Sequence, residues 1–95
     1  MEQVERIKQM ELRMERAAKA VLEFSAALDN YEAVQEEIAI LKRYYGGRDW
    51  QQDYADDEAG LLPADLKRGV LSEDGIWNLL SDVSELNSRL AQFLL

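Results

Sequence analysis

Ninety-five residues fit one small domain, and 47% apolar against 32% charged residues describe a soluble, folding chain rather than a disordered or fibrous one. Eleven Lys and Arg against nineteen Asp and Glu leave a net charge of −8, the wrong sign for a phosphate backbone or an anionic membrane surface, so neither direct nucleic-acid nor membrane binding is expected. With no Cys and no His, a disulfide framework, a thiolate nucleophile, an imidazole base and a conventional zinc site are all excluded.

The first residues, Met1-Glu2-Gln3-Val4-Glu5-Arg6, mix both charge signs and lead into no apolar stretch of signal-peptide or membrane-spanning length, which predicts a cytoplasmic protein. From Val4 onward apolar residues recur at steps of three and four: Val4, Ile7, Met10, Met14, Ala17, Val21, Phe24, Leu28 and Tyr31, then Ile38 and Tyr45. This is a heptad seam, interrupted by the polar residues Gln35 and Lys42. Gly and Pro are absent from residues 3–45, and Glu2 to Arg6 and Glu15 to Lys19 are spaced as favourable i,i+4 pairs. The pattern favours one long helix over about 3–45, bent if anywhere near Asp29-Asn30, over two helices with Asp29-Asn30 capping the second, because the seam keeps its phase across them. Its first two heptads have charged flanks (Glu5, Arg6, Glu11, Arg13), as in a coiled coil. Farther on, Ala20, Ala27, Val34 and Leu41 broaden the stripe into a bundle face.

Gly46-Gly47 ends this helix and opens a connector over 46–71. Trp50 and Tyr54, four residues apart, are placed on one side of a short helical turn over 48–54. Pro63 and Gly69 frame a second turn over 63–68, with Asp65 early and Lys67 and Arg68 late to match the helix dipole. Leu61, Leu62, Val70 and Leu71 are expected to plug the end of the helix pair beneath the aromatic side.

The last segment, 72–95, predicts an antiparallel helix over about 73–94, capped by Ser72 and carrying the seam Ile76, Leu79, Val83, Leu86, Leu90 and Phe93. The chain is thus read as a single all-α domain over 1–95. At 1.5 Å per residue the two long helices span about 64 and about 33 Å, so the N-terminal part of the seam lacks a partner in its own chain. A homodimer joined through Ile7, Met10 and Met14 is the economical solution.

Tyr44-Tyr45, Trp50, Asp53-Tyr54, Asp57-Glu58, Gly60, Pro63, Asp65-Leu66-Lys67, the string Gly69-Val70-Leu71-Ser72-Glu73-Asp74, and Leu79-Leu80 together form a specific motif. In this motif the chain closely resembles a bacterial family catalogued only as a domain of unknown function. The resemblance covers almost the whole chain and implies a small acidic helical protein with a variable heptad-like N-terminal helix. It supplies no activity, catalytic residue or cofactor. Gly47 departs from the serine expected in many relatives, which loosens any capping role at the start of the Trp50 turn.

Asp49, Asp53, Asp56, Asp57 and Glu58 are oxygen ligands of the kind hard cations take, but their spacing fits no EF-hand loop. They read as a solvated acidic loop balanced by Arg48, Lys67 and Arg68. Ser72 with Lys67 could be drawn as nucleophile and base, yet no oxyanion loop, nucleophile elbow or phosphate-cradling glycine pattern accompanies them. No catalytic residue, cofactor or metal is therefore assigned. Tyr44, Tyr45, Trp50, Tyr54 and Trp77 read as core aromatics before they read as a ligand pocket. The functional expectation is a non-enzymatic interaction module with an unknown protein partner. Its candidate contact residues are Ile7, Met10, Met14, Trp50, Asp53, Tyr54, Asp57, Glu58, Lys67 and Arg68. The alternative is an acidic decoy that mimics nucleic acid and blocks a basic protein, as small phage inhibitors do. Against it, −5 of the net charge sits in residues 46–75 instead of spreading along a duplex-length face.

Overall fold

The computed structural model describes residues 2–94, and among them the protein is all-α, with no strand. Four helices follow in order: α1 (Gln3–Ala33), α2 (Gln35–Tyr44), α3 (Arg48–Glu58) and α4 (Gly75–Phe93), with a 3₁₀ turn at Gly69–Leu71 before α4. The chain divides into two compact units, Met1–Gln35 and Glu36–Leu95.

In the first unit, α1 opens on Glu2, whose carboxylate accepts from the Val4 and Glu5 amides at 2.7 and 3.2 Å. The side chain expected to pair with Arg6 thus serves as a helix cap, satisfying amides that have no partner within the helix. Lys19 turns toward Glu23, at 3.8 Å, instead of toward Glu15. Both partners of that pair are well exposed, so it contributes little. No residue of α1 is buried.

Helix runs unbroken through Asp29-Asn30 and stops five residues later than the expected bend. At Val34 the backbone leaves helical values (φ −100°, ψ 7°), and its amide donates to the Tyr31 carbonyl at 3.3 Å, a tightened three-residue span. Gln35 Nε2 also donates to that carbonyl, at 2.9 Å. The long helix expected over 3–45 is therefore two helices in sequence, and the break falls beside the first polar residue of the seam. The signal lies in the charges. Glu36 and Glu37 in its first turn and Lys42 and Arg43 in its last give α2 a dipole-matched pattern of its own.

The second unit is held by short turns. Gly46, at φ +77°, ends α2, as its position after the seam suggested. Helix α3 continues past the expected end at 54 to Glu58, where Gly60, at φ +73°, takes the left-handed conformation. There the Gly60 amide donates to Asp57 O and the Leu61 amide to Asp56 O, each at 3.0 Å, closing a Schellman motif. Over 63–68 the chain makes one turn, with Leu66 N–H donating to Pro63 O at 3.2 Å, and does not propagate into a helix. The helical hydrogen bonding resumes only at Gly69.

Ser72 ties that 3₁₀ turn to α4. Its hydroxyl donates to Gly69 O at 2.8 Å and accepts from the Gly75 amide at 3.0 Å. It thereby performs the capping role expected of it, while the residue flanking the helix, Asp74, makes no side-chain cap. Among the described residues only Leu71 and Ile76 are buried, at 6% and 3% exposure. Each contributes roughly 1.5–3 kcal/mol by leaving water. Of the other expected plugs, Leu62 is half-buried, whereas Leu61 and Val70 are exposed.

Candidate functional site

The sequence-derived residues fall into two separate groups, one on each unit. On α1, Ile7, Met10 and Met14 are exposed, with Met14 at 60%, and Val4, Val21 and Phe24 extend the same exposed stripe. Their spacing places them on one helix face, and a lone helix has no second layer to cover it. This is an exposed apolar face without pocket geometry.

In the second unit α3 acts as a hub because its residues face different partners. On one side Trp50 is sandwiched between two tyrosines. The Tyr45 ring meets it edge-on, at 5.3 Å and 70°, and the Tyr54 ring stacks on it, at 5.3 Å and 28°. Its indole Nε1 donates to the Val70 carbonyl at 2.9 Å, fastening α3 to the 3₁₀ turn. The Tyr45 hydroxyl donates to Glu73 O at 3.4 Å. Trp50 and Tyr54 are therefore half-buried packing residues, with the indole N–H of Trp50 tied to the backbone. Trp77 stands apart, 57% exposed.

The acidic residues of α3 do not act as one cluster. Asp53 accepts from the Tyr44 hydroxyl at 2.6 Å, Asp56 accepts from Gln52 Nε2 at 2.9 Å, and Asp57 accepts from Arg68 Nη1 at 2.6 Å. Three carboxylates thus serve three different donors. Among the described residues no group of three or more His, Cys, Asp or Glu side chains is arranged to hold a metal ion. The Asp53 hydrogen bond, with burial and the charges of Asp53 and Asp49 adding to it, pushes the Tyr44 phenol up to about 12. The charge of Glu58 leads the upward shift of Tyr54, with Glu73 and Asp57 adding to it.

Lys67 and Arg68, adjacent in sequence, have opposite fates. Arg68 turns inward, bonding Asp57 and donating from Nη2 to Ala64 O at 3.3 Å. Lys67 makes no ion pair among the described residues. It borders an open groove of about 300 Å³ whose apolar lining includes Leu41, Val70, Ile76 and Leu79. Pattern reading missed this groove because its walls come from α2, the 3₁₀ turn and α4. It also missed Gly75, which Gly69 and Ser72 approach too closely for a side chain.

No helix among the described residues is long and apolar enough to cross a membrane. Comparison with known proteins adds one positive finding: the model of the family described as "Domain of unknown function (DUF4298)" matches residues 7–93. No curated protein and no solved structure gives a match.

Proposed function

Since the chain belongs to the DUF4298 family of domains of unknown function, whose model takes in both α1 and the α3 hub, we propose that it works by protein contact rather than catalysis, self-associating through α1. The observation that carries this reading is the exposed stripe of α1. Over 31 residues it repeats apolar side chains at coiled-coil spacing, and none of them is buried. Such a stripe in water favours a partner, because covering apolar surface contributes roughly 25 cal/mol per Å². The second unit supports the non-enzymatic part of the reading. Asp53, Asp56 and Asp57 each hold a structural donor, and Ser72 spends both hydrogen-bonding directions on Gly69 and Gly75.

The test is sedimentation of the wild type and of Met14→Lys over a micromolar concentration series. The wild type should sediment as a dimer. The variant, with an ammonium in the seam, should dissociate while keeping most of its helical circular dichroism. A wild type that stays monomeric across the series would refute self-association.

A further inference from the structure

We propose that the partner covering the α1 stripe is the α1 helix of a second copy, running antiparallel. This rests on the self-association reading above and adds to it an orientation and a register.

The charge distribution along α1 supplies the first argument. Residues 1–19 carry all five of its cations, Arg6, Lys8, Arg13, Arg16 and Lys19, along with four carboxylates. Residues 20–33 carry Glu23, Asp29 and Glu32 and no cation, and the last turn of α1 has no basic residue to offset its dipole. An antiparallel copy lays the cationic half of one helix along the acidic half of the other. With Ile7, Met14, Val21 and Leu28 at a, and Met10, Ala17, Phe24 and Tyr31 at d, Arg13, Arg16 and Glu23 lie on the g side. Lys8, Glu11, Glu15, Asp29 and Glu32 lie on the e side. Antiparallel pairing sets g side against g side and e side against e side. Arg13 then comes opposite Glu23 of the second copy, and Lys8 opposite its Asp29 and Glu32, which offsets the like-charge approach of Glu11 to the same Asp29.

Side-chain volumes supply the second. In the antiparallel register of fullest overlap, a positions face d positions, so Met10 meets Leu28, Met14 meets Phe24 and Ala17 meets Val21. The Ala17–Val21 layer is the smallest of these, but the layers differ less in volume than identical residues stacked on themselves would, which interior packing favours. A parallel, in-register pair offers the Arg6 to Glu11 contact. It also sets Ala17 on Ala17 and Phe24 on Phe24, leaving one layer thin and another crowded. In addition it brings two cation-free acidic segments to the same level.

Because the protein has no cysteine, any disulfide in an engineered variant reports the engineered positions alone. Met14→Cys and Phe24→Cys are purified separately, shown to dimerise under reduction by sedimentation, mixed in equal amounts, exchanged and oxidised. Antiparallel pairing gives cross-linked dimer in the mixture and not in either variant alone. The pair Met10→Cys with Leu28→Cys repeats the test in a second layer, in case the first pair weakens association. Cross-linking of each single variant with itself would overturn the orientation and leave self-association standing. A monomeric wild type would overturn both.

Discussion

The Tyr44 hydroxyl donates to Asp53 at 2.6 Å, and the neutral phenol is the form the fold prefers, since its pKa rises from 10.0 to about 12. The contribution to stability is therefore complete below pH 10 and is lost as pH climbs from 10 toward 12. Tyr44→Phe should cost about 1 kcal/mol near neutrality, the net value of one partly exposed hydrogen bond to a charged group. In urea melts at about pH 8 and about pH 11, the variant should lose less stability between the two conditions than the wild type does. Tyr54, raised mainly by Glu58, leaves a residual slope in both. The adjacent cations Lys67 and Arg68 separate just as cleanly. Arg68→Glu places an acid against Asp57 and should lower stability by roughly 1–2 kcal/mol, because the side chains involved are only 33% and 23% exposed. Lys67→Glu should leave the melting free energy within about 0.5 kcal/mol, as a surface change away from any pair. Equal losses for the two in thermal melts would refute the division. Sequence placed both residues at the end of one turn but gave no sign that they part, since which of them meets Asp57 depends on how the chain bends between Gly60 and Gly69.

Helix ends, more than helix interiors, decide how the second unit closes. The start of α4 is the tightest of these: a Cβ on Gly75 would overlap the Gly69 carbonyl oxygen and stand 2.6 Å from Ser72 Oγ. Ala is ordinarily the better helix former, by roughly 1 kcal/mol over Gly. Here Gly75→Ala should instead destabilise by about 2 kcal/mol, through overlap with backbone and loss of the two Ser72 bonds. A melting temperature equal to or above that of the wild type would show that the turn yields freely. The elements themselves were largely legible. Heptad spacing located α1 and α4, Gly46 marked the end of α2, and the Trp50–Tyr54 spacing marked α3. The turn over 63–68 closes but does not lengthen into a helix, for a physical reason. Pro63 and the charge order suit a helix, but the carbonyls of Gly69 and Val70 are committed to Ser72 and Trp50, and these bonds fix Gly69–Leu71 as a separate 3₁₀ turn. The break at Val34 was missed because the apolar phase continues across it. Only the acid-to-base order of α2 discloses a new helix, and the dipole effect behind it is weak beside a seam of that length.

At the scale of the whole molecule, two units of different character share one chain. The second has a small interior, Leu71 and Ile76, supported by hydrogen bonds that join residues far apart in sequence, such as Trp50 to Val70. The first carries an exposed apolar stripe, and pairing through it should make its stability depend on protein concentration. If α1 pairs, the wild-type melting temperature should rise across a micromolar dilution series by mass action, whereas that of Met14→Lys should stay flat. Concentration-independent melting in both would argue against pairing. The apolar stripe was fully legible in the sequence, because heptad spacing is a property of one helix. The α3 hub was legible only as a list of residue types, because its pairings join side chains from three elements. The interruption at Val34 has one more consequence. Helix unwinding spreads along an unbroken ladder of backbone bonds, each freed residue loosening the next. At this point the ladder changes hands: the Val34 amide reaches back three residues, and a Gln35 side chain also occupies the Tyr31 carbonyl. A fraying front that starts at Gln3 therefore meets a boundary there, and α1 can open, exchange its amide protons and close again while α2 stays wound.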